Sequence, residues 1–267
     1  MALNTLWFVL YVAIIAGYVV LDGFDLGVGM LSPFVARTDR DHRMVLNAIG
    51  PVWDGNEVWL VLGGGALFAA FPIVYASLFS GFYLAMMLVL LVLILRTIAI
   101  EFRSHRESPA WRATWDWFFF ASSLGITLLL GVALGNVIRG VAVDSSAEIS
   151  VDLIDMLNPY SIAVGAAAVA MLSLHGGVFL TLKVEGDLLD RVQRLVPKLM
   201  VAFFVAMTAL IAWTLLLDTE IADRFADRPW TAVFPLLALV AAIVAWRLIL
   251  RSSYLSAFLA SSAMIAL

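Results

Sequence analysis

Long apolar runs separated by short polar clusters set the pattern of this chain. A helix that crosses about 30 Å of hydrocarbon needs roughly 20 mostly apolar residues. Residues 6–30, 75–100, 117–138, 160–182, 197–217 and 230–249 meet that requirement. A seventh run, 51–70, meets it only by carrying Trp53, Asp54, Asn56 and Glu57 in its first two turns. The last run, 253–267, has too few residues to cross, because about 1.5 Å of rise per residue gives it a reach of about 22 Å. The pattern predicts an all-α fold: a polytopic transmembrane helix bundle in one membrane domain over 1–267, with seven complete spans and an eighth that is cut short.

Charge placement orients these spans. If 51–70 crosses, the connections on one side hold only Arg139, Arg224 and Arg228 of the 16 basic residues. The rest, including Arg37, Arg40, Arg43, Arg103, Arg106, Arg112, Arg191 and Lys198, gather on the other side, which the positive-inside rule makes cytoplasmic. The N-terminus is therefore expected outside. The outer connections are expected to be acidic, with Asp144, Glu148, Asp152 and Asp155 in one and Asp218, Glu220, Asp223 and Asp227 in the other.

Composition narrows the chemistry. The chain is 63% hydrophobic and 13% charged with a mean hydropathy of +1.01, which a soluble domain of this size has no core to hide. The first apolar run ends in an acidic motif rather than a small-residue cleavage site, so no signal peptide is expected. Absence of cysteine removes disulfides, iron–sulfur clusters and thiolate metal sites. A net charge of −4 and the lack of a Gly-rich phosphate loop argue against nucleic-acid and nucleotide partners.

An ionisable side chain near the centre of a spanning helix costs at least about 2.5–3.5 kcal/mol on insertion scales, so each one calls for a reason. Asp22 and Asp25 share a face of the first helix, and Asp54 and Glu57 repeat that spacing at the start of the second. Both pairs are expected in the cytoplasmic half, where four carboxylates at similar depth suit a proton route. The plainer alternatives are a helix N-terminal role for Asp54 and a salt bridge from Asp22 or Asp25 to Arg96 or Arg103. Arg96 reads most simply as a snorkelling cation, and Asp116, at the start of the fourth helix, suits an N-cap at least as well as a functional role. His175 is the one histidine inside a predicted span; it suits either haem ligation or, more commonly, a hydrogen bond to backbone or carboxylate. Gly23-x-x-x-Gly27, Gly63-Gly64-Gly65 and Gly131-x-x-x-Gly135 are expected to bring helix backbones close.

The runs DGFDLGVGMLSPF at 22–34 and GPVWDGNEVWLVLGGGALFAAFP at 50–72 resemble subunit II of cytochrome bd-type quinol oxidases, the cyanide-insensitive branch included. The resemblance continues through FSGFYLAMMLVLLVLILR ending at Arg96, WRATWDW at 111–117, GVALGNVIRGV at 131–141 and SLHGGVFLTLKVEG at 173–186, and so covers nearly the whole chain. It implies two four-helix bundles with a peripheral helix, packed against a subunit I that carries haem b, haem d and the quinol site. It also implies that Asp54, the carboxylate of the WDGN motif, feeds protons towards the oxygen-reducing haem. Asp22, Asp25 and Glu57 then belong to the same path, and Arg96, Asp116 and His175 are supporting polar residues.

On this reading the chain holds neither a metal nor a catalytic residue of its own. It is an accessory subunit of a quinol:O2 oxidoreductase in the cytoplasmic (inner) membrane of a bacterium or archaeon. The family also admits a bound quinone, for which no pocket can be named, and small additional subunits. Family members usually continue past residue 267, so the chain is expected to be C-terminally incomplete. A proton-coupled secondary transporter and a purely structural scaffold are the rival readings.

Overall fold

A computed structural model describes residues 2–141, 153–217 and 227–267. The expected outer-loop residues Asp144, Glu148, Asp152, Asp218, Glu220, Asp223 and Arg224 lie outside the described residues. Every regular element among the described residues is helical. The helices are α1 (Ala2–Val35), α2 (Asp39–Ile49), α3 (Trp53–Ala70), α4 (Pro72–Gly81), α5 (Tyr83–Phe102), α6 (Pro109–Arg139), α7 (Leu153–Met156), α8 (Pro159–Thr181), α9 (Gly186–Leu216), α10 (Val233–Leu250) and α11 (Tyr254–Ala266).

Among the described residues, six helical segments are long and apolar enough to cross a membrane: Leu3–Val35, Tyr83–His105, Pro109–Arg139, Pro159–Thr181, Gly186–Leu216 and Pro229–Leu250. Helix α3, with its polar opening turns, falls outside that group. Several expected boundaries shift. The run expected to span 75–100 is broken after Gly81, where Phe82 leaves helical geometry at φ −98° and ψ 22° and buries its ring beside Leu78, Ala85 and Met156. Helices α6 and α9 begin well before their apolar runs, α9 passing through Pro197. Helix α9 opens at Gly186 with φ +61°, a conformation that costs glycine little.

Helix α2 was not expected, since its residues read as a charged loop. A reciprocal capping box starts it: the Thr38 hydroxyl accepts from the Asp41 N–H, and Asp41 accepts from the Thr38 N–H. Val45, Ala48 and Ile49 turn inward from it.

Helices α1 and α8 form the centre, with α6, α9 and α11 packed around α8, and α3, α6 and α11 against α1. Both central helices are buried most completely in one half, residues 22–32 of α1 and 172–181 of α8. Glycine allows the approach. A Cβ at Gly27 would stand 2.0 Å from the Leu172 carbonyl oxygen, and one at Gly176 would stand 2.5 Å from the Gly27 backbone. Gly131 meets Gly165 with the same intimacy, its Cβ position lying 2.6 Å from the Gly165 Cα. The triple glycine behaves differently: Gly63 abuts Ile15, while Gly64 and Gly65 have no neighbour within 4 Å of a Cβ.

Candidate functional site

The carboxylates of α1 converge with α3 and α5 inside the bundle. Asp22 and Asp25 are fully buried, and so is Arg96 of α5. An arginine near a helix end ordinarily snorkels outward. Arg96 instead turns inward, and its Nη1 donates to Asp22 Oδ1 at 2.8 Å and lies 3.9 Å from Glu57 Oε2. One cation thus faces two carboxylates.

Asp25 has a different partner. The Asn56 amide of α3 donates to Asp25 Oδ2 at 2.8 Å and to the Leu21 carbonyl at 3.3 Å. Glu57, next along α3, keeps 19% of its side chain exposed, and Asp54 stands exposed in the first turn. The structure therefore brings Asp22, Asp25 and Glu57 together around Arg96 and leaves Asp54 outside the group, towards the α3 N-terminus. Asn56 was missed because attention to charge passes over amides. Its place two residues after Asp54, on the opposite side of α3, was the available signal.

Pairing here is incomplete. Asp22 Oδ2, Asp25 Oδ1 and the Nε and Nη2 of Arg96 are buried without a protein partner. Buried polar atoms are seldom left so, and each costs about 1–3 kcal/mol when unsatisfied. Such a cluster suits water and a mobile proton better than it suits bracing.

At the end of the bundle that carries α2, a second charged group is densely bonded. Arg103 grips Asp116 with two bonds, Nε to Oδ1 at 2.5 Å and Nη2 to Oδ2 at 3.1 Å, and reaches Asp39 at 3.0 Å. Arg112 donates to Asp39 at 3.0 Å, and Arg43 pairs with the same carboxylate. Arg191 ties α9 to Asp41 at 2.6 Å and to the Val35 carbonyl at 2.8 Å. Asp116 is accordingly an ion-pair residue two turns inside α6, whose N-terminus lies at Pro109, and its expected N-cap role is corrected.

The hydrogen bond from Arg43, assisted by Arg103, holds the Asp39 carboxyl below its ordinary range. Partial burial pushes Asp41 the other way, but the N–H groups of Arg37 and Thr38, with Arg191, outweigh it and hold its carboxyl low. Burial keeps the His42 imidazole below its ordinary value despite the nearby Asp116.

His175 is wholly buried between α1, α8 and α11. Its Nε2 is 3.1 Å from the Val20 carbonyl, which can only accept, so the proton is assigned there and Nδ1 faces the Ser261 hydroxyl at 2.8 Å. The ring stacks on Phe258 with centroids 4.8 Å apart. Both nitrogens are engaged, which does not fit axial haem ligation by this residue. Among the described residues no group of three or more His, Cys, Asp or Glu is arranged to hold a metal ion.

Similarity to known proteins agrees with this architecture. The chain is 40% identical over 211 residues to cytochrome bd ubiquinol oxidase subunit 2 of Bacillus subtilis, covering 79% of this chain and 62% of the relative. It is 42% identical over 190 residues to cytochrome bd-I ubiquinol oxidase subunit 2 of Escherichia coli K12, covering 70% and 50%. A probable cytochrome oxidase subunit 2 of Haemophilus influenzae matches at 35% over 271 residues, covering 91% and 72%. The chain thus spans about half to three-fifths of the first two relatives. The fold is that of a chain in the solved bd oxidase of Geobacillus thermodenitrificans, with a TM-score of 0.80 at 19% identity, over all of this chain and 83% of that one. The model of cytochrome bd terminal oxidase subunit II matches residues 3–267, and the chain belongs to that family.

Proposed function

We propose that this chain is the accessory subunit of a quinol:O2 oxidoreductase, packs against a haem-bearing subunit I, and gives cytoplasmic protons a route towards the oxygen-reducing site. One observation carries the proton route: the graded burial of carboxylates from α3 into α1. Asp54 is exposed, Glu57 is partly exposed, and Asp22 and Asp25 are sealed inside. Asp54 is placed to collect a proton and Glu57 to pass it inward. Arg96 keeps the Asp22 charge compensated, so that a proton reaching Asp25 meets a carboxyl with no cation of its own. The haems, when bound in subunit I, supply the electron transfer and oxygen reduction.

In the membrane this reading places seven crossings with the N-terminus outside and the α2 charge network in the cytoplasm. Quinol oxidation near the outer face releases protons there, while protons for water formation enter from the cytoplasm. A bound quinone, lipid contacts and small additional subunits remain part of the proposal. Family membership sets the transporter reading behind this one.

The test begins with the full-length chain purified with its haem-bearing partner. Haem b and haem d bands in a reduced-minus-oxidised spectrum report assembly. With those bands intact, Asp54→Asn is expected to slow oxygen consumption by about 100-fold, the scale of losing a positioned proton-transfer group. Turnover unchanged in Asp54→Asn and in Asp25→Asn would leave the chain a scaffold only.

A further inference from the structure

Asp25 is the most isolated of the buried carboxylates. Its Oδ2 accepts from Asn56 at 2.8 Å, its Oδ1 has no protein partner, and it has no ion pair within 4.0 Å among the described residues. The nearby Arg96 is committed to Asp22. The amide orientation of Asn56 follows from its partners: the Leu21 carbonyl can only accept, so the atom facing it and Asp25 is Nδ2. Asn56 is itself buried, and its two bonds tie it to successive turns of α1.

We infer that Asn56 is the positioning residue that fixes the Asp25 carboxyl, holding Oδ2 so that Oδ1 stays presented as the atom that takes up and releases the proton. The inference rests on the proposed proton route. In the step, an Oδ1 lone pair of the carboxylate binds an incoming proton and gives the neutral acid. Onward release breaks that O–H bond and restores the carboxylate, and the Asn56 amide keeps both of its hydrogens throughout. Without the amide, the carboxyl is free to rotate and either oxygen can turn away from the donor.

A plain packing role for Asn56 differs in what it predicts, and three variants of the full-length complex separate the two. Asn56→Ala is expected to keep the haem bands and to lose turnover by about tenfold, as removal of a supporting hydrogen-bond partner commonly does. Asp25→Asn is expected to be slower still, and the double variant no slower than Asp25→Asn, because the two residues act as one unit. Infrared difference spectra add a readout that packing does not move: the carboxyl C=O band that Asp25→Asn abolishes should shift in Asn56→Ala.

An unshifted band with wild-type turnover in Asn56→Ala, or additive losses in the double variant, overturns the positioning role while Asp25→Asn remains slow. Wild-type turnover in Asp25→Asn instead overturns the proton route itself. Where Asn56→Ala yields no complex, Asn56→Ser is read by the same measurements: a shifted band with reduced turnover supports the role, and wild-type values for both overturn it.

Discussion

Two groups of charged residues stand a few helical turns apart, and they are bonded to very different extents: among the described residues the Arg103 group leaves only the Arg112 Nε buried without a partner, the Arg96 group four atoms. Around Arg103 nearly every charge is bonded more than once: Asp39 has three arginines on it, and Asp116 is held by both arms of one. Around Arg96 a single cation meets Asp22 and approaches Glu57, while buried oxygens and guanidinium nitrogens go without protein partners. The first arrangement fastens α2, α5 and α6 together, with Arg191 adding α9, and has little freedom to change its charge. The second has the freedom that proton movement needs. Incomplete pairing, more than burial or charge alone, sets apart the cluster proposed to carry protons.

The sharpest way to break this comparison is Arg96→Leu. Removing Arg96, the one cation that contacts Asp22 among the described residues, leaves a buried carboxylate uncompensated, at a cost of about 3–5 kcal/mol. The complex is expected to accumulate poorly and to melt well below wild type in detergent; an unaltered melting temperature would show that Asp22 does not depend on Arg96. Next comes Arg103→Gln, which removes several charge-assisted bonds and is expected to cost about 2–3 kcal/mol. For this variant, turnover per haem should stay near wild type, so a large loss of turnover without loss of stability would erase the distinction between the groups.

Smaller effects test the edge network further. Thr38→Ala removes the capping hydroxyl of α2 and should cost about 1 kcal/mol, read as a modest fall in melting temperature. Acidification should do least, because Asp39 is partly exposed and its pairs are screened. With the folded pKa of Asp39 and Asp41 held low, their contribution is present above the unfolded carboxylate value and is lost as pH falls through the folded one. Melting temperature should therefore fall between about pH 5 and about pH 3, and less in the Asp39→Asn variant. An identical fall in both would remove Asp39 from the account.

Much of the bundle was legible in advance, because apolar runs of spanning length have few other uses. Helix α2 was not, since its short amphipathic pattern reads as a charged loop until Thr38 and Asp41 are seen to cap each other. The break at Phe82 escaped notice because an unbroken apolar run gives no local signal of where a helix will turn. Asp22 and Asp25 stood out as costly residues in a span, and pairing with an arginine was already one of the readings open to them. Spacing left Arg96 and Arg103 as equal candidates; only the packing of both α5 and α1 against α6 assigned Arg96 to Asp22 and Arg103 to Asp116.

By itself the sequence determined the solvent, the helices and the chemistry on offer, because hydropathy and residue type act locally along the chain. Tertiary structure alone decided that Arg96 turns inward, that Asn56 rather than a cation holds Asp25, and that Asp54 remains exposed. Those outcomes depend on which helix faces meet. Close glycine contacts between α1 and α8 help to set that meeting, between residues far apart in the chain.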